Sequence, residues 1–249
     1  REIRLQADDS VIKPSAVGHV FIRRSRGFVP VPFDTGIKMP DILATGALLK
    51  NTICVTKGNN AYLSQHIGDL ENRNAFQYFE KTIKSFIDFY GIRPAAVVSD
   101  IHPDCMSTVF SLEFSKKNGI VHVKTQHHFS HMLSVMAEHR HYRRSLGIIT
   151  DGTGYGEDGH IWGGEFLSAD LHSYRRLGHL SYIKLPGGDL CARQPFRTAI
   201  SALSGHLTPG QINRLYRGFG SEGFLKMLEK GINSPLSSGA GRLFDAAAS

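Results

Sequence analysis

The sequence predicts an α/β layered fold, because short apolar strands alternate with helices along most of the chain. The clearest helix covers residues 72–90, where apolar side chains recur at helical spacing until Gly91 provides a stop. Buried strands are predicted at residues 95–98 and 146–150, and each is expected to end at an aspartate. These three observations together favour a sheet covered by helices.

The remaining elements follow the same alternation. Strands are predicted at residues 42–47 and 51–56, and a turn at residues 57–60. Further along the chain, the pattern predicts a helix at about 106–118, a strand at 120–123 and a helix at 126–139. The last of these helices opens on a cluster of histidines.

The first 36 residues differ in character from the rest. They contain a β-rich run at 18–22, a basic cluster at 23–26, and two prolines, Pro30 and Pro32, that favour an extended connector. We therefore predict a domain boundary near residue 36. The chain begins with Arg1, and both ends have the appearance of cuts through a longer protein.

The composition is that of an ordinary soluble globular protein, with 41% hydrophobic and 20% charged residues among 249. No apolar run reaches the roughly 18 residues needed to span a bilayer, and the N-terminus lacks the features of a signal peptide. The three cysteines are widely separated, which argues against a disulfide scaffold or a cysteine-based zinc site and favours the cytoplasm. The formal charge of +7 indicates acidic partners or a locally basic surface.

The segment TQHHFSH, residues 125–131, contains three histidines. If the helix begins there, His127 and His131 lie four residues apart and share one face, whereas His128 projects elsewhere. Two such imidazoles can bind one metal ion, although a structural role for them is equally compatible with the spacing. Asp151 is a candidate third ligand, because ligands gather at the carboxyl ends of strands in α/β sheets.

The segment DGTGYGEDG, residues 151–159, follows the strand that precedes Asp151. Gly152, Gly154 and Gly156 would let backbone amides approach a phosphate without obstruction from side chains. The alternative is a glycine-rich hairpin that turns at residues 157–159, and both interpretations can hold together. The pattern fits the phosphate-binding hairpins of actin-like ATPases better than a dinucleotide fold or a Walker A motif.

Two other polar groups have competing interpretations. Asp100, His102 and Asp104 follow a strand and could line a cleft, or Asp104 could cap the next helix while His102 completes a turn. Arg24 and Arg26 could bind phosphate or could serve surface solubility.

The chain as a whole resembles the HypF carbamoyltransferases of [NiFe]-hydrogenase maturation. Nine segments carry the resemblance in family order: DDSV (8–11), IRRSRGFVPVPF (22–33), ATGALLKNTICV (44–55), YLSQHIGDLEN (62–72), SDIHPDCMST (99–108), QHHFSHMLSVMAEH (126–139), DGTGYGEDGHIWGGE (151–165), PGGDLCARQPFR (186–197) and SPLSSGAGRLFDA (234–246). Three positions depart from the usual family residues, namely Cys105, Ser130 and Gln194, and none of them is a proposed ligand.

The resemblance implies a domain organisation. Residues 1–36 would be the C-terminal tail of a YrdC-like domain, and residues 37–249 the first part of a carbamoyl-transfer domain with an incomplete actin-like ATPase (ribonuclease H-like) fold. The acylphosphatase domain, the zinc fingers and the end of the last domain would lie outside this chain. On this basis the 249-residue chain is expected to bind metal without completing carbamoyl transfer.

The resemblance also implies a chemistry. The YrdC-like domain would make carbamoyl-adenylate from ATP and carbamoyl phosphate, and the following domain would pass the carbamoyl group to the C-terminal cysteine of the partner protein HypE. His127, His131 and Asp151 match the residues that form the catalytic metal site, which would hold zinc or iron. Gly152, Gly154 and Gly156 would approach the nucleotide phosphate, and Asp245 matches an acid that holds the ribose.

Two other functions remain open at this point. A tRNA threonylcarbamoyl transferase shares the histidine pair and the nucleotide cleft, but the YrdC-like tail and the segment SQHIGDLEN argue against it and make a nucleic-acid partner the less favoured one. The third possibility is a non-catalytic fragment that binds HypE or nucleotide. No membrane partner is expected.

Overall fold

The computed structural model describes residues 5–16 and 18–249, and the chain forms two compact units, Arg1–Thr125 and Gln126–Ser249. Within the described residues, none of the helices combines the length and apolar character needed to cross a bilayer. Cys54, Cys105 and Cys191 are all free thiols.

Among its described residues, the first unit contains two sheets and two helices. Its elements in chain order are β1 Val11–Ser15, β2 Gly18–Arg23, β3 Phe33–Met39, β4 Ile42–Ala44, β5 Cys54–Leu63, α1 Arg73–Tyr90, β6 Ala96–Asp100, α2 Met106–Asn118 and β7 Val121–Thr125. β1 and β2 form an antiparallel pair, and the others form a five-stranded sheet in the order β3-β5-β4-β6-β7. β4, β6 and β7 run parallel to one another, as expected where helices connect the strands.

The core of the first unit lies between α1 and the five-stranded sheet. α1 begins at the cap Asn72, whose side chain accepts from the Ala75 N–H, and it ends at Gly91 in the left-handed region. The predicted helix at 72–90 is therefore confirmed. Its buried Phe79 and Ile83 pack with Leu43 of β4 and other apolar residues of the sheet.

Two sequence predictions in this unit are wrong. The expected turn at residues 57–60 lies inside β5, where Gly58 has a φ of 61° and pairs with Met39 of β3 across an irregular register. The glycine therefore accommodates a local distortion of a continuous strand. Asp104 does not cap α2, because Cys105 is the N-cap residue.

The domain boundary predicted near residue 36 falls within β3, so the chain has no structural break at that position. The connector that contains Pro30 and Pro32 lies before β3, between the two-stranded sheet and the five-stranded sheet. Residues 1–4 of the predicted first segment lie outside the described residues. The assignment of the two sequence domains remains a prediction.

The second unit has one five-stranded sheet and six helices among the described residues. Its elements in chain order are α3 His127–Glu138, β8 Ser145–Tyr155, β9 Ile161–Ala169, β10 Tyr174–His179, β11 Ile183–Lys184, α4 Leu190–Arg193, α5 Phe196–Leu203, α6 Pro209–Leu215, α7 Ser221–Lys230, β12 Leu236–Ser237 and α8 Ala240–Ala247.

β9 is the centre of this sheet. β8 and β10 pair with it in antiparallel fashion, and β12 pairs with it in parallel at Ile161. α3 packs on the sheet through Met132 and Met136, which contact a cluster containing Leu167. A separate apolar cluster joins α5, α6 and α7. The sheet and α3 together position the candidate site.

Candidate metal centre

α3 begins at the histidine cluster, as the sequence predicts. The Gln126 side chain caps the helix by accepting from the Phe129 N–H at 2.9 Å. Helical spacing then places His127 and His131 one turn apart, with their Nε2 atoms separated by 3.2 Å. The two imidazoles therefore present their outer nitrogen atoms to the same point.

β8 brings Asp151 to this point, but the course of the strand differs from the one that the sequence predicts. The strand does not end at Asp151 but continues to Tyr155, and the β8–β9 register shifts between Thr150 and Gly154. Such an irregularity redirects a side chain out of the regular alternation. Asp151 Oδ2 lies 3.2 Å from His127 Nε2 and 3.8 Å from His131 Nε2.

These three side chains fit a divalent metal ion. Their ligand atoms all lie within 4.8 Å of one another, and two imidazole nitrogens with one carboxylate oxygen are a donor set that zinc and iron accept. Asp151 Oδ2 is buried and has no hydrogen-bond partner among the described residues. A buried carboxylate oxygen without a partner is costly, and a bound cation would satisfy it. The arrangement fits the metal site that the sequence predicts.

The local electrostatics keep Asp151 ionised. Burial of the carboxyl raises its pKa, but the neighbouring imidazoles of His127 and His128 and the Gly152 N–H outweigh this effect and hold the pKa well below its usual range. The Gly152 N–H donates to Asp151 Oδ1 at 2.6 Å, which leaves Oδ2 directed at the histidines. Asp151 is thus available as an anionic ligand.

His128 differs from its two neighbours because it is fully buried. Its Nδ1 lies 3.2 Å from Gln126 Nε2, and its Nε2 lies 3.6 Å from Asp151 Oδ2. The sequence analysis predicts only that His128 projects away from the other two histidines. A better signal was available, because His128, Met132 and Met136 recur at four-residue spacing and form the buried stripe of α3.

The three predicted phosphate-binding glycines have different surroundings. A Cβ atom on Gly154 would lie 2.5 Å from His128 Cε1, and one on Gly156 would lie 2.1 Å from Trp162 Nε1. Packing therefore requires both glycines, whatever else they do. A Cβ on Gly152 would meet only Arg242 Nη2, at 3.4 Å, which is ordinary contact distance. The hairpin interpretation is confirmed, since residues 156–160 connect β8 to β9.

α8 places Arg242 beside Gly152 and contains Asp245, the predicted ribose-binding acid. Arg242 Nη2 lies 3.0 Å from Asp245 Oδ2, so the predicted ribose-binding acid is paired with a guanidinium. Arg242 Nε and Asp245 Oδ2 are both buried, and apart from this ion pair neither atom has a hydrogen-bond partner among the described residues. The sequence analysis did not identify Arg242 as a candidate site residue, although it lies three residues before Asp245 in the same helix.

Arg24 and Arg26 are engaged within the first unit. Arg24 Nη2 donates to the carbonyls of Phe28 and Val31 at 2.7 and 3.0 Å, and Arg26 forms an ion pair with Asp9 at 3.3 Å. These contacts secure the segment that precedes β3. Binding of phosphate by the two arginines remains a prediction.

Asp100, His102 and Asp104 form a local turn. Asp100 Oδ1 accepts from the His102 N–H at 3.0 Å, and His102 Nδ1 accepts from the Asp104 N–H at 3.2 Å. The turn histidine is therefore satisfied, as the alternative interpretation expected. These contacts account for the three residues without a ligand.

A buried ionic network around Glu165 was not predicted from the sequence. Glu165 is fully buried and accepts from Arg176 Nε at 2.6 Å, from Ser238 Oγ at 2.5 Å and from the Gly163 N–H at 3.1 Å. Arg176 also donates to Asp158 at 3.0 Å in the hairpin turn. The network links the turn, β9, β10 and the segment before α8.

Comparison with protein families matches two parts of the chain. Residues 38–138 match the HypF Kae1-like domain, and residues 147–249 match the second subdomain of the carbamoyltransferase Kae1-like domain. The first match includes His127 and His131, and the second includes Asp151.

Individual relatives give the same result. The chain is 41% identical over its whole length to Carbamoyltransferase HypF2 of Cupriavidus necator, and 40% identical to Carbamoyltransferase HypF of Rhizobium leguminosarum bv. viciae. It spans only 31% and 32% of the lengths of these two relatives.

A solved structure shares the fold. A crystal structure of full-length HypF in the phosphate- and nucleotide-bound form matches 98% of this chain with a TM-score of 0.91 and 37% sequence identity. The match covers 32% of that protein. The predicted α/β, actin-like fold is thereby confirmed.

Proposed function

The chain belongs to the HypF family, and from this membership we propose that it supplies the metal- and nucleotide-binding part of a carbamoyl-transfer site. The donor would be carbamoyl-adenylate, formed elsewhere in the whole protein from ATP and carbamoyl phosphate. The acceptor would be the C-terminal cysteine of HypE. The observation that carries the proposal is the convergence of His127, His131 and Asp151 on one point.

The proposed reaction exchanges one bond of the carbamoyl carbon for another. The HypE thiolate attacks that carbon, a C–S bond forms, the C–O bond to the adenylate phosphate breaks, and AMP leaves with the electron pair. A zinc or iron ion held by His127, His131 and Asp151 would polarise the carbamoyl or phosphate oxygen as a Lewis acid. The two imidazoles must be unprotonated at Nε2 to serve as ligands.

The leaving phosphate is proposed to lie beside Gly152. Gly152 has no side chain, and the Arg242 guanidinium lies close to the position that its Cβ atom would take. Arginine donors match the geometry of phosphate oxygens, and Asp245 orients this guanidinium through their ion pair. A ribose contact by Asp245 would have to share the carboxylate with Arg242. Gly154 and Gly156 support this site by allowing close packing.

The wider assignments follow the same family membership. Residues 1–36 are proposed as the tail of a YrdC-like domain, residues 37–249 as the first part of the transfer domain, and the cytoplasm as the setting. Membership in this family favours carbamoyl transfer to HypE over threonylcarbamoyl transfer to tRNA, because both matching domain families are those of HypF.

The direct test is carbamoyl transfer to a peptide. A HypE C-terminal peptide with its cysteine is incubated with ATP, carbamoyl phosphate and the protein encoded by the complete reading frame, and mass spectrometry detects the gain of one carbamoyl group. We expect the gain with the wild-type protein and its loss in His131→Ala. The exposed His206 provides a matched control, because His206→Ala removes an imidazole outside the cluster.

Three results would contradict the proposal. Undiminished transfer in His131→Ala would remove the proposed role of the metal ligands. Modification of a tRNA substrate in place of the peptide would identify the threonylcarbamoyl alternative. Nucleotide binding without transfer to either acceptor would favour a non-catalytic protein. The 249-residue chain alone is expected to bind metal and AMP without completing transfer.

A further inference from the structure

His128 differs chemically from His127 and His131, because the hydrogen bonds of Gln126 determine which of its ring nitrogens carries the proton. Gln126 is almost fully buried, and each atom of its amide has a backbone partner. Its Oε1 accepts from the Phe129 N–H at 2.9 Å, and its Nε2 donates to the Tyr155 carbonyl at 3.1 Å. A flipped amide would place a donor against a donor and an acceptor against an acceptor, so the orientation is fixed.

The fixed amide determines the tautomer of His128. Gln126 Nε2 carries two hydrogens and no acceptor lone pair, and it lies 3.2 Å from His128 Nδ1. His128 Nδ1 must therefore be the acceptor of this hydrogen bond. In a neutral imidazole the proton then resides on Nε2.

The protonated nitrogen of His128 faces the carboxylate of Asp151. His128 Nε2 and Asp151 Oδ2 lie 3.6 Å apart, and both atoms are buried without a hydrogen-bond partner among the described residues. A separation of 3.6 Å is too long for a hydrogen bond. A small movement of the carboxylate would satisfy both atoms. Hydrogen bonds in an active site often shorten in this way when substrate binds.

We propose that His128 is a positioning residue, which donates its Nε2–H to Asp151 and orients that carboxylate toward the ion held with His127 and His131. His128 is not itself a ligand, because its Nε2 lone pair is occupied by the proton. The protein then supplies three ligands and leaves coordination positions open for substrate, as catalytic metal sites require. This inference rests on the proposed metal site.

A series of side-chain contacts connects the backbone at the start of α3 to the metal ligand Asp151. The helix cap Gln126 orients His128, and His128 orients Asp151. Gly154 permits the arrangement, since a Cβ atom there would collide with the His128 ring. Partners of this kind around a metal ligand commonly affect metal affinity by about 10–100-fold.

Nuclear magnetic resonance tests the tautomer directly, with or without metal. Long-range 1H–15N correlations are recorded on the full 249-residue chain labelled with 15N-histidine, and the His128 signals are assigned by their loss in His128→Gln. We expect the Nε2–H tautomer in the metal-free protein and after addition of one equivalent of zinc, while the signals of His127 and His131 shift. An Nδ1–H tautomer of His128, or direct coordination of its Nε2, would overturn the proposal.

A second experiment measures zinc affinity by competition with a chromogenic chelator. His128→Leu removes the donor and is expected to weaken binding by about 10–100-fold. His128→Gln retains an N–H near the position of Nε2 and is expected to remain close to wild type. Equal losses in the two variants, or no loss in His128→Leu, would contradict a positioning role.

Gln126→Glu separates the tautomer from the fold and from the metal. A carboxylate at residue 126 still accepts from the Phe129 N–H but cannot donate to His128, so His128 is expected to change to the Nδ1–H tautomer. Retention of the Nε2–H tautomer in this variant would refute the assigned role of Gln126. If the wild-type tautomer is as expected but no metal binds, the proposed function fails while the assignment of the hydrogen bonds stands.

Discussion

The two compact units bury different kinds of polar side chain. Among the described residues, the buried polar side chains of the first unit are neutral hydroxyls and amides, whereas the second unit buries His128 and Glu165 completely. Buried ionisable groups are rare because they lose hydration, so they require close partners. The difference indicates that the first unit is stabilised mainly by apolar packing and that the second also maintains a polar site.

The partners in the second unit account for this contrast. Glu165 accepts from Arg176, Ser238 and backbone amides, and these interactions outweigh its burial and lower its pKa. His128 has only one hydrogen-bonded nitrogen, and Asp151 Oδ2 has no hydrogen-bond partner among the described residues. The groups around Glu165 thus satisfy the hydrogen bonds of its carboxylate. His128 and Asp151, in contrast, have atoms that a ligand would satisfy.

The largest change in stability is expected in the apolar core of the first unit. Phe79→Ala removes a fully buried ring of α1 and should lower the free energy of unfolding by about 4 kcal/mol, because a cavity replaces its contacts. Urea denaturation measures the effect. Phe89→Ala in the same helix is the control, since that ring is exposed, and equal losses in the two variants would contradict the assigned core.

The ionic network should be nearly as sensitive. Glu165→Gln leaves Arg176 without its buried counter-ion and places an amide N–H2 among donors, so the unfolding free energy should fall by about 3 kcal/mol. Glu229→Gln, at an exposed residue of α7, should change little. A Glu165→Gln protein as stable as wild type would show that the network does not stabilise the second unit.

The glycines of β8 separate packing from phosphate binding. Gly154→Ala should destabilise the protein by about 1–3 kcal/mol and weaken zinc binding, because the new methyl group displaces His127 or His128. Gly152→Ala should keep zinc affinity and reduce affinity for AMP, since only the Arg242 side chain is near the added methyl group. Titration of each ligand by calorimetry checks both expectations. The reverse pattern would exchange the roles assigned to the two glycines.

The smallest expected effect is a dependence of stability on acid pH. Burial raises the pKa of Asp158, but hydrogen bonds from Tyr182, His160 and Trp162 and the charge of Arg176 prevail and lower it to about 2. The unfolded carboxyl has a pKa of about 3.9, so this contribution to stability is complete above that pH and is lost as the pH falls through about 2. Urea denaturation across this range should show a shallower pH dependence in Asp158→Asn. An unchanged slope would exclude Asp158 as the source.

The sequence predicted the features that local periodicity determines. α1, α2 and α3 were expected at nearly their observed bounds, and helical spacing alone separated His127 and His131 from His128. These elements depend on side chains within a few residues of one another, capped by Asn72 or Gln126 and stopped by Gly91 or Gly119.

Features that depend on strand register were not predictable in the same way. Asp151 reaches the histidines because β8 and β9 shift register beside it, and the sequence analysis placed it there through an incorrect strand end. Arg176 reaches Glu165 across the irregular pairing of β9 with β10. A one-residue change of register moves a side chain to the other face of a sheet, and no periodicity within one strand specifies it.

The central claim is that His127, His131 and Asp151 hold one metal ion. Elemental analysis of the purified 249-residue protein, after incubation with zinc and removal of excess ion, measures it directly in wild type, His127→Ala, His131→Ala, Asp151→Asn and the control His206→Ala. We predict about one equivalent in wild type and control, as one three-ligand site implies, and a large loss in the other three variants. Equal metal content in all five proteins would contradict the claim.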